Sequence, residues 1–262
     1  MKKLLMKIVF MCFMAVIICP CVTADENFDL DMVKIPGKNI EMLRTEVTQE
    51  LYESVMGENP SWFRCDNTEL DEDDLKNLEK NTSNYPVEYM SWYDAIYFCN
   101  KLSEKKGLQP VYALNGKIDV RKWDYKPHNE DKIYGEITQN ISACGYRLPT
   151  VEEWQYAAKG GQMYRYSGSD NLDSVGWYDD NSGIVTHSVA QKKPNDYGLY
   201  DMSGNVWERC WDSSGSIFGG HYYCGGSWAN NGSRSEVAGR DFGSDFSRDH
   251  RVGFRIVRST GK

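Results

Sequence analysis

The sequence predicts an α+β domain with little regular secondary structure. Apolar residues fall at helical spacing three times, all before residue 160. The last hundred or so residues hold only short apolar runs between turns and glycines. Aromatics reach 13%, with 8 Trp, 17 Tyr and 23 Gly, a composition suited to short elements anchored by rings and joined by tight turns. The 262 residues show neither a long repeat nor a linker, so they read as one domain behind an export segment. A formal net charge of −8 argues against nucleic-acid partners and against charge-driven membrane binding.

Residues 1–24 read as that export segment. Lys2, Lys3 and Lys7 precede and interrupt an apolar core over Leu4 to Ile18, and Val22-Thr23-Ala24 supplies small residues for cleavage. The core is too short for a comfortable membrane span. Cys19 and Cys21 follow Ile18 and Pro20, not the small residues of a lipidation box, so a lipid anchor stays open. It would be the chain's one route to a membrane. The domain proper is then 25–262. Cleavage after Ala24 removes three Lys and leaves a charge of −11, with Cys65, Cys99, Cys144, Cys210 and Cys224. Five cysteines cannot all pair within one chain, and the mature sequence has no C-x-x-C. One bridge and scattered buried thiols are both open readings.

Residues 28–45 read as short strands broken at Pro36-Gly37. Thr45 to Met56 is helical, with Val47, Leu51, Val55 and Met56 on one face and Thr48 near the start. Asn59-Pro60-Ser61 is a turn. Residues 66–84 are acidic and read as a solvated surface insertion without the spacing of an EF-hand loop. A second helix follows Ser91, with Ala95, Ile96, Phe98, Cys99 and Leu102 as its stripe and Gly107 at its C-terminal end. Val111 to Leu114, Asn115-Gly116 and Ile118 to Val120 read as a β-hairpin. Thr150 with Glu153 is a capping box that opens a third helix, burying Trp154, Ala157 and Ala158.

Several segments together carry a family resemblance. They are Glu46-Val47-Thr48, Asn59-Pro60-Ser61, Pro86-Val87-Glu88 and Ser91-Trp92-Tyr93-Asp94-Ala95. Tyr146-Arg147-Leu148-Pro149-Thr150, Glu152-Glu153-Trp154 and Tyr156-Ala157-Ala158 follow. The run Asn195 to Glu208, Gly225-Gly226-Ser227-Trp228 and Gly253-Phe254-Arg255 complete the set. In this order, over residues 32–258, they resemble the formylglycine-generating enzyme (sulfatase-modifying factor) family. The resemblance implies that family's variant of the C-type lectin fold. Arg147 is expected to bond carbonyls or acids inside the fold, and Trp154, Trp207 and Trp228 read as core.

The resemblance also defines what chemistry to look for. Aerobic family enzymes hold copper between two cysteines three and eight residues after the Ser of Gly-Gly-Ser. Those positions here are Asn230 and Ser235, and an amide and a hydroxyl cannot replace two thiolates at copper. No copper is expected. An iron site of the ergothioneine-pathway type lacks its histidines: His128, His187, His221 and His250 show no H-x-x-x-H spacing, and His187 and His250 read as ordinary surface or loop residues. The family's calcium segment maps onto Asp201, Gly204, Val206 and Glu208. Their oxygens suit a structural calcium ion, while capping of a tight turn is the plain alternative.

Residues 229–251 are compositionally odd. Glu236 is their one residue of the set Lys, Gln, Glu, Met and Trp, against seven such residues in 188–212. This segment in its fixed frame resembles the variable proteins of diversity-generating retroelements, of which treponemal members have a formylglycine-enzyme-type lectin fold. Mutation of template Asn codons at adenines accounts for such a composition. A Gly/Ser/Asp-rich surface loop is the alternative. The resemblance marks Trp228, Ala229, Asn230, Asn231, Gly239, Asp241, Phe242, Gly243, Ser244, Phe246, Asp249, His250 and Arg251 as candidate ligand-binding residues. The expected function is non-catalytic binding, with protein ligands favoured because no Glu-Pro-Asn sugar motif occurs. The expected location is the cell envelope or surface. A formylglycine-forming or related enzyme is the alternative, and it requires a metal or nucleophile that the sequence does not reveal.

Overall fold

The computed structural model describes residues 29–129, 132–217 and 219–261. Residues 1–24, expected to be an export segment, lie outside these with their three cysteines. Regular structure is sparse: four helices, ten short strands and a few 3-10 turns among the described residues. The fold is mixed α and β, as expected.

The strands Met32–Lys34 (β1) and Ile40–Leu43 (β2) pair antiparallel around the Pro36-Gly37 turn. Helix Gln49–Met56 (α1) starts later than the Thr45 that the spacing predicts, leaving Val47 outside it; it begins after Thr48, whose hydroxyl accepts the Leu51 amide. It ends at Gly57, whose φ of 90° suits the left-handed cap. Helix Trp92–Lys105 (α3) opens on a reciprocal capping box between Ser91 and Asp94. Helix Val151–Lys159 (α4) opens on the expected box between Thr150 and Glu153.

Two further segments differ from expectation. The acidic stretch contains a short helix, Glu72–Asn77 (α2), capped by the Asp71 carboxylate. Its own residues are not buried, but Leu70 and Leu78 flank it and pack with Phe63, Val185, Trp62 and Trp228. The segment is therefore a wall of the molecule as well as a solvated face. The second is the hairpin. Asn115 and Gly116 do form a tight turn, with φ of 49° and 75°, but it closes only a single bridge between Leu114 and Lys117. Tyr112–Leu114 (β3) pairs instead with Ile137–Gln139 (β4), and Val120–Lys122 turns into a 3-10 helix capped by Asp119.

Tyr146–Arg147 (β5) and the C-terminal strand Val257–Ser259 (β10) complete a sheet of order β1-β2-β10-β5. The other four-stranded sheet contains Trp207–Ser213 (β6), His221–Cys224 (β7), Arg240–Gly243 (β8) and Val252–Gly253 (β9), in the order β8-β7-β6-β9. β9 runs parallel to β6. Two main cores lie against these sheets. One packs α1 and α3 with Tyr112, Leu148 and Phe254, and the other packs α4 with Met42, Met202, Cys210 and Cys224. Residues 229–251 thus leave the end of β7, form the edge strand β8 and return as β9.

Candidate functional site

The segment 229–251 is held to the frame at intervals, and the holding residues differ from the outward ones. At its entrance the Trp228 amide donates to the Asn205 carbonyl at 2.7 Å, and Ser182 Oγ donates to the Trp228 carbonyl at 2.9 Å. Ser227 Oγ donates to Asn230 Oδ1 at 2.7 Å, and the Asn230 carbonyl accepts the Asp179 amide. Asn231 opens a 3-10 turn, Gly232–Arg234, and its side chain accepts the Ser233 hydroxyl. Further on, Arg165 forks onto Glu236 at 2.9 and 2.7 Å. Gly239 is fixed by space: a Cβ there would stand 2.4 Å from the Arg234 carbonyl oxygen.

The distal half is anchored more deeply. The Asp245 carbonyl accepts the Trp92 amide, and its carboxylate meets His221 Nδ1 at 2.6 Å. The His221 ring stacks on Trp92 at 3.8 Å between centroids. The fully buried Arg209 donates through Nη2 to the carbonyls of Met90 (3.0 Å) and Ser247 (2.8 Å). Arg248 turns inward, and its Nη1 lies 2.8 Å from the buried carboxylate of Asp94. Tyr125 also donates to Asp94, at 2.7 Å, and His128 Nδ1 lies 3.2 Å from Arg248 Nη1. Burial pulls the Asp94 carboxyl upward, but His128, Arg248 and the Ser91 amide hold it below the usual carboxylate value.

Between these anchors the outward side chains are Arg240, Phe242, Phe246 and Arg251. Phe242 is 45% exposed on the edge strand and Phe246 is 36% exposed. The Tyr222 ring flanks Phe242, and Lys132 Nζ sits 4.5 Å from the Phe246 ring centre. Asp241 pairs with Arg234 at 2.9 Å. Gly243 packs on the Tyr223 ring, and the Ser244 carbonyl accepts the Ser247 amide. Asp249 caps its own turn by accepting the Arg251 amide and both arms of the Arg251 guanidinium. Its carbonyl accepts the Tyr89 amide at 3.2 Å.

His250 is not an ordinary loop residue. It stacks on Trp228 at 5.6 Å and approaches Phe63 at 5.8 Å and Trp62 at 6.3 Å. Tyr89 extends this ring file beyond Trp62 at 6.0 Å. Trp228 accordingly lies half-buried at the rim, while Trp154 and Trp207 are core. His187 likewise stacks on Trp177, at 3.8 Å. The floor of the file is set by Glu88, whose carboxylate accepts the Trp62 and Phe63 amides at 3.0 and 2.8 Å. Burial pushes the Glu88 carboxyl up to about 8, against those two amides.

The quartet expected to hold calcium is buried beneath this frame. Both Glu208 oxygens face Arg255, at 2.7 and 2.8 Å, and Trp154 Nε1 donates to one of them at 2.6 Å. Val206 donates its amide to Glu46, and Gly204 to the Gly225 carbonyl. Asp201 accepts the Ala190 amide through Oδ2, while its Oδ1 is buried with no hydrogen-bond partner in the protein. One side-chain oxygen of the quartet is therefore available, and Glu208 is already committed. Among the described residues, no three His, Cys, Asp or Glu side chains are placed to share a metal ion.

The whole frame matches one family model, described as the sulfatase-modifying factor enzyme 1-like domain, over residues 23–260. The chain belongs to this family. The sulfatase-modifying-factor-like fold is shared with the solved Treponema denticola variable protein 1, at a TM-score of 0.73 and 34% identity over 87% of this chain and 91% of that one. CarF is also similar, at a TM-score of 0.64 and 31% identity over 84% and 86%. Chaperone protein LppX of Paenibacillus barcinonensis is 41% identical over 188 residues, 64% of this chain and 60% of that protein. The formylglycine-generating enzyme of Streptomyces coelicolor is 31% identical over 160 residues, 47% of this chain and 50% of the enzyme. A mouse protein named inactive C-alpha-formylglycine-generating enzyme 2 is 32% identical over 139 residues, 45% and 44% of the two chains. The chain thus spans between 44% and 60% of the length of these three relatives. Named enzymes and a named inactive form both stand among the kin of this sulfatase-modifying-factor-like chain.

Within the family frame, Arg147 does what the motif implies: it forks onto Glu153 at 2.7 Å through both terminal nitrogens and donates to the Leu148 carbonyl. The copper positions carry other duties. Asn230 binds Ser227, and Ser235 is buried beside Gly226. Arg209, His221 and Glu88 are not marked as anchors by the sequence, and Arg248, which reads with Arg240 and Arg251 as a charge offered to a ligand, turns inward to Asp94 instead. Glu88 and Asp94 sit inside motifs, but their partners lie far away along the chain, so no local spacing signals the contact.

Proposed function

We propose that this chain is an exported, non-catalytic binding protein that presents a diversified segment, residues 229–251, to protein ligands at the cell surface. The observation that carries the reading is the split within the segment. Asp245, Ser247 and Arg248 are tied into the frame, whereas Phe242, Phe246, Arg240 and Arg251 are held outward between the ties. A rigid scaffold with adaptable side chains is the arrangement that binding loops require. Likeness to a protein named variable protein 1 and the thiol-free positions 230 and 235 support the same reading. The formylglycine-forming alternative lacks both thiolates.

The test is genetic and then biochemical. Sequencing the 3′ coding segment in many isolates should show adenine-linked substitutions at 229–231, 241–244 and 249–251, beside a reverse transcriptase and a near-copy of the segment. Even scatter, or free variation at Asp245 and Arg248, would remove the reading. For a ligand identified from surface proteins, Phe242→Ala with Phe246→Ala should weaken binding at least about 30-fold, the scale of an aromatic hot spot. Unchanged affinity would mean that another face binds.

A structural calcium belongs to this proposal as well. Asp201 Oδ1, the Gly204 and Val206 carbonyls and Glu208 supply oxygen donors of the hard type that calcium prefers. The partnerless Asp201 Oδ1 supports it, and the double engagement of Glu208 weighs against it. Millimolar calcium should raise the melting temperature of the wild type and not of Asp201→Ala; no shift in either would end the idea.

A further inference from the structure

Five cysteines follow the export segment, and the fold separates them. Cys65 and Cys144 are exposed, and Cys99 is buried alone in the first core. Cys210 and Cys224 are buried together in the second core, their sulfurs 3.9 Å apart. They belong to neighbouring antiparallel strands. Cys224 faces Glu208 across the ladder, and Cys210 stands two residues further along β6, at the start of the irregular stretch between Arg209 and Ser213. Alternation of side chains puts Glu208 and Cys210 on the same side of β6, which brings Cys210 diagonally toward Cys224.

We propose that Cys210 and Cys224 are joined by the mature domain's one intrachain disulfide, a cross-strand staple between β6 and β7. It would close the glycine-rich connection 214–220 and brace the strand that carries β8. The reaction needs a disulfide oxidant. One cysteine thiolate attacks a sulfur of glutathione disulfide or of a protein disulfide, forming a mixed disulfide and releasing one thiolate. The second cysteine thiolate then attacks the first cysteine's sulfur and expels the other half of the oxidant. Two S–H bonds are lost, one S–S bond forms, and the oxidant leaves as two thiols carrying both protons.

Timing follows from burial. Both sulfurs are fully enclosed, so the attacking thiolate must form before β6 and β7 close over it. The bond should therefore form during folding and resist reduction afterwards. Where the oxidant is met rests on the export reading; the pairing itself does not, and refolding in a defined buffer tests it separately.

The mature chain would be unfolded in reductant, refolded with glutathione and glutathione disulfide, acid-quenched, denatured and alkylated without further reduction. Three labels, on Cys65, Cys99 and Cys144, and one linked Cys210–Cys224 peptide pair two hydrogens lighter are expected. Five labels, or a bridge that includes any of the other three cysteines, would overturn the proposal. The oxidised chain should also melt several degrees above the reduced chain. Cys210→Ser with Cys224→Ser should abolish that difference while still folding; a difference that survives in the double variant would place the redox effect elsewhere.

Discussion

Arg248 shows at the level of one residue how the segment 229–251 is held to the frame. Its neighbours Asp249 and Arg251 settle their charges on each other at the surface. Arg248 instead carries a cation to the buried Asp94, with its side chain only 6% exposed. Asp94 also caps α3, so the ion pair links the segment to the helix that carries Trp92. Removing one partner of a buried pair leaves an uncompensated charge, which costs about 3–5 kcal/mol. Arg248→Ala should therefore lower the melting temperature by roughly 10 °C in a chain of this size. Arg248→Lys should recover part of it, because it keeps the cation and only Nη1 bonds Asp94 and His128, while Nε and Nη2 are buried without hydrogen-bond partners in the protein. A change within about a degree for the alanine variant, measured by thermal unfolding, would show that the anchor contributes nothing.

At the scale of elements, legibility followed the range of the forces. The three helices announced themselves through Thr48, Ser91 and Thr150, because a cap is a contact across three residues and leaves its mark in the local sequence. The hairpin expected after Asn115-Gly116 does not form, because only the turn is local. The partner of β3 comes from residues 137–139, and Asp119, by accepting the Arg121 amide, favours a 3-10 turn where a strand was expected. The acidic stretch was half legible: its charges are solvated, but Leu70 and Leu78 find their places under Trp228 only in three dimensions. Phe242 and Phe246, which the fold leaves exposed, stand among the positions that composition and family frame mark. The anchors are not so marked, since His221–Asp245 and Arg248–Asp94 join residues 24 and 154 positions apart and leave no periodic trace.

At the scale of the whole molecule, the buried carboxylates give the protein a pH dependence whose sign can be worked out. Burial, the largest influence on each, raises Asp201 from 3.8 to about 6 and Glu88 from 4.5 to about 8, and raises Glu46 in the same direction. A carboxyl that is harder to ionise when folded makes the native state bind more protons than the unfolded chain. Its stabilising contribution is complete below the unfolded value and fades as pH rises through the folded one. Going from pH 8.5 to about 6.5, these groups should therefore stabilise the protein by a few kcal/mol in total, on the order of one to two pKa units of linkage. His128, His187 and His250 oppose them at lower pH. Burial lowers all three, so the stability they contribute is present above the usual histidine value of 6.5 and is lost as pH falls through their folded values. The melting temperature should thus rise from pH 8.5 to about 6.5 and turn over below it. Glu88→Gln should flatten the upper limb. The substituted amide would keep one acceptor for the Trp62 and Phe63 amides, so the variant should start from a lower stability near pH 6.5 and lose less of it on the way to 8.5. A melting temperature that is level or climbs between pH 6.5 and 8.5 in the wild type would mean that Glu88 is ionised in the fold, held by those two amides against its burial. The floor beneath Trp62, Phe63 and His250 would then be a charged one.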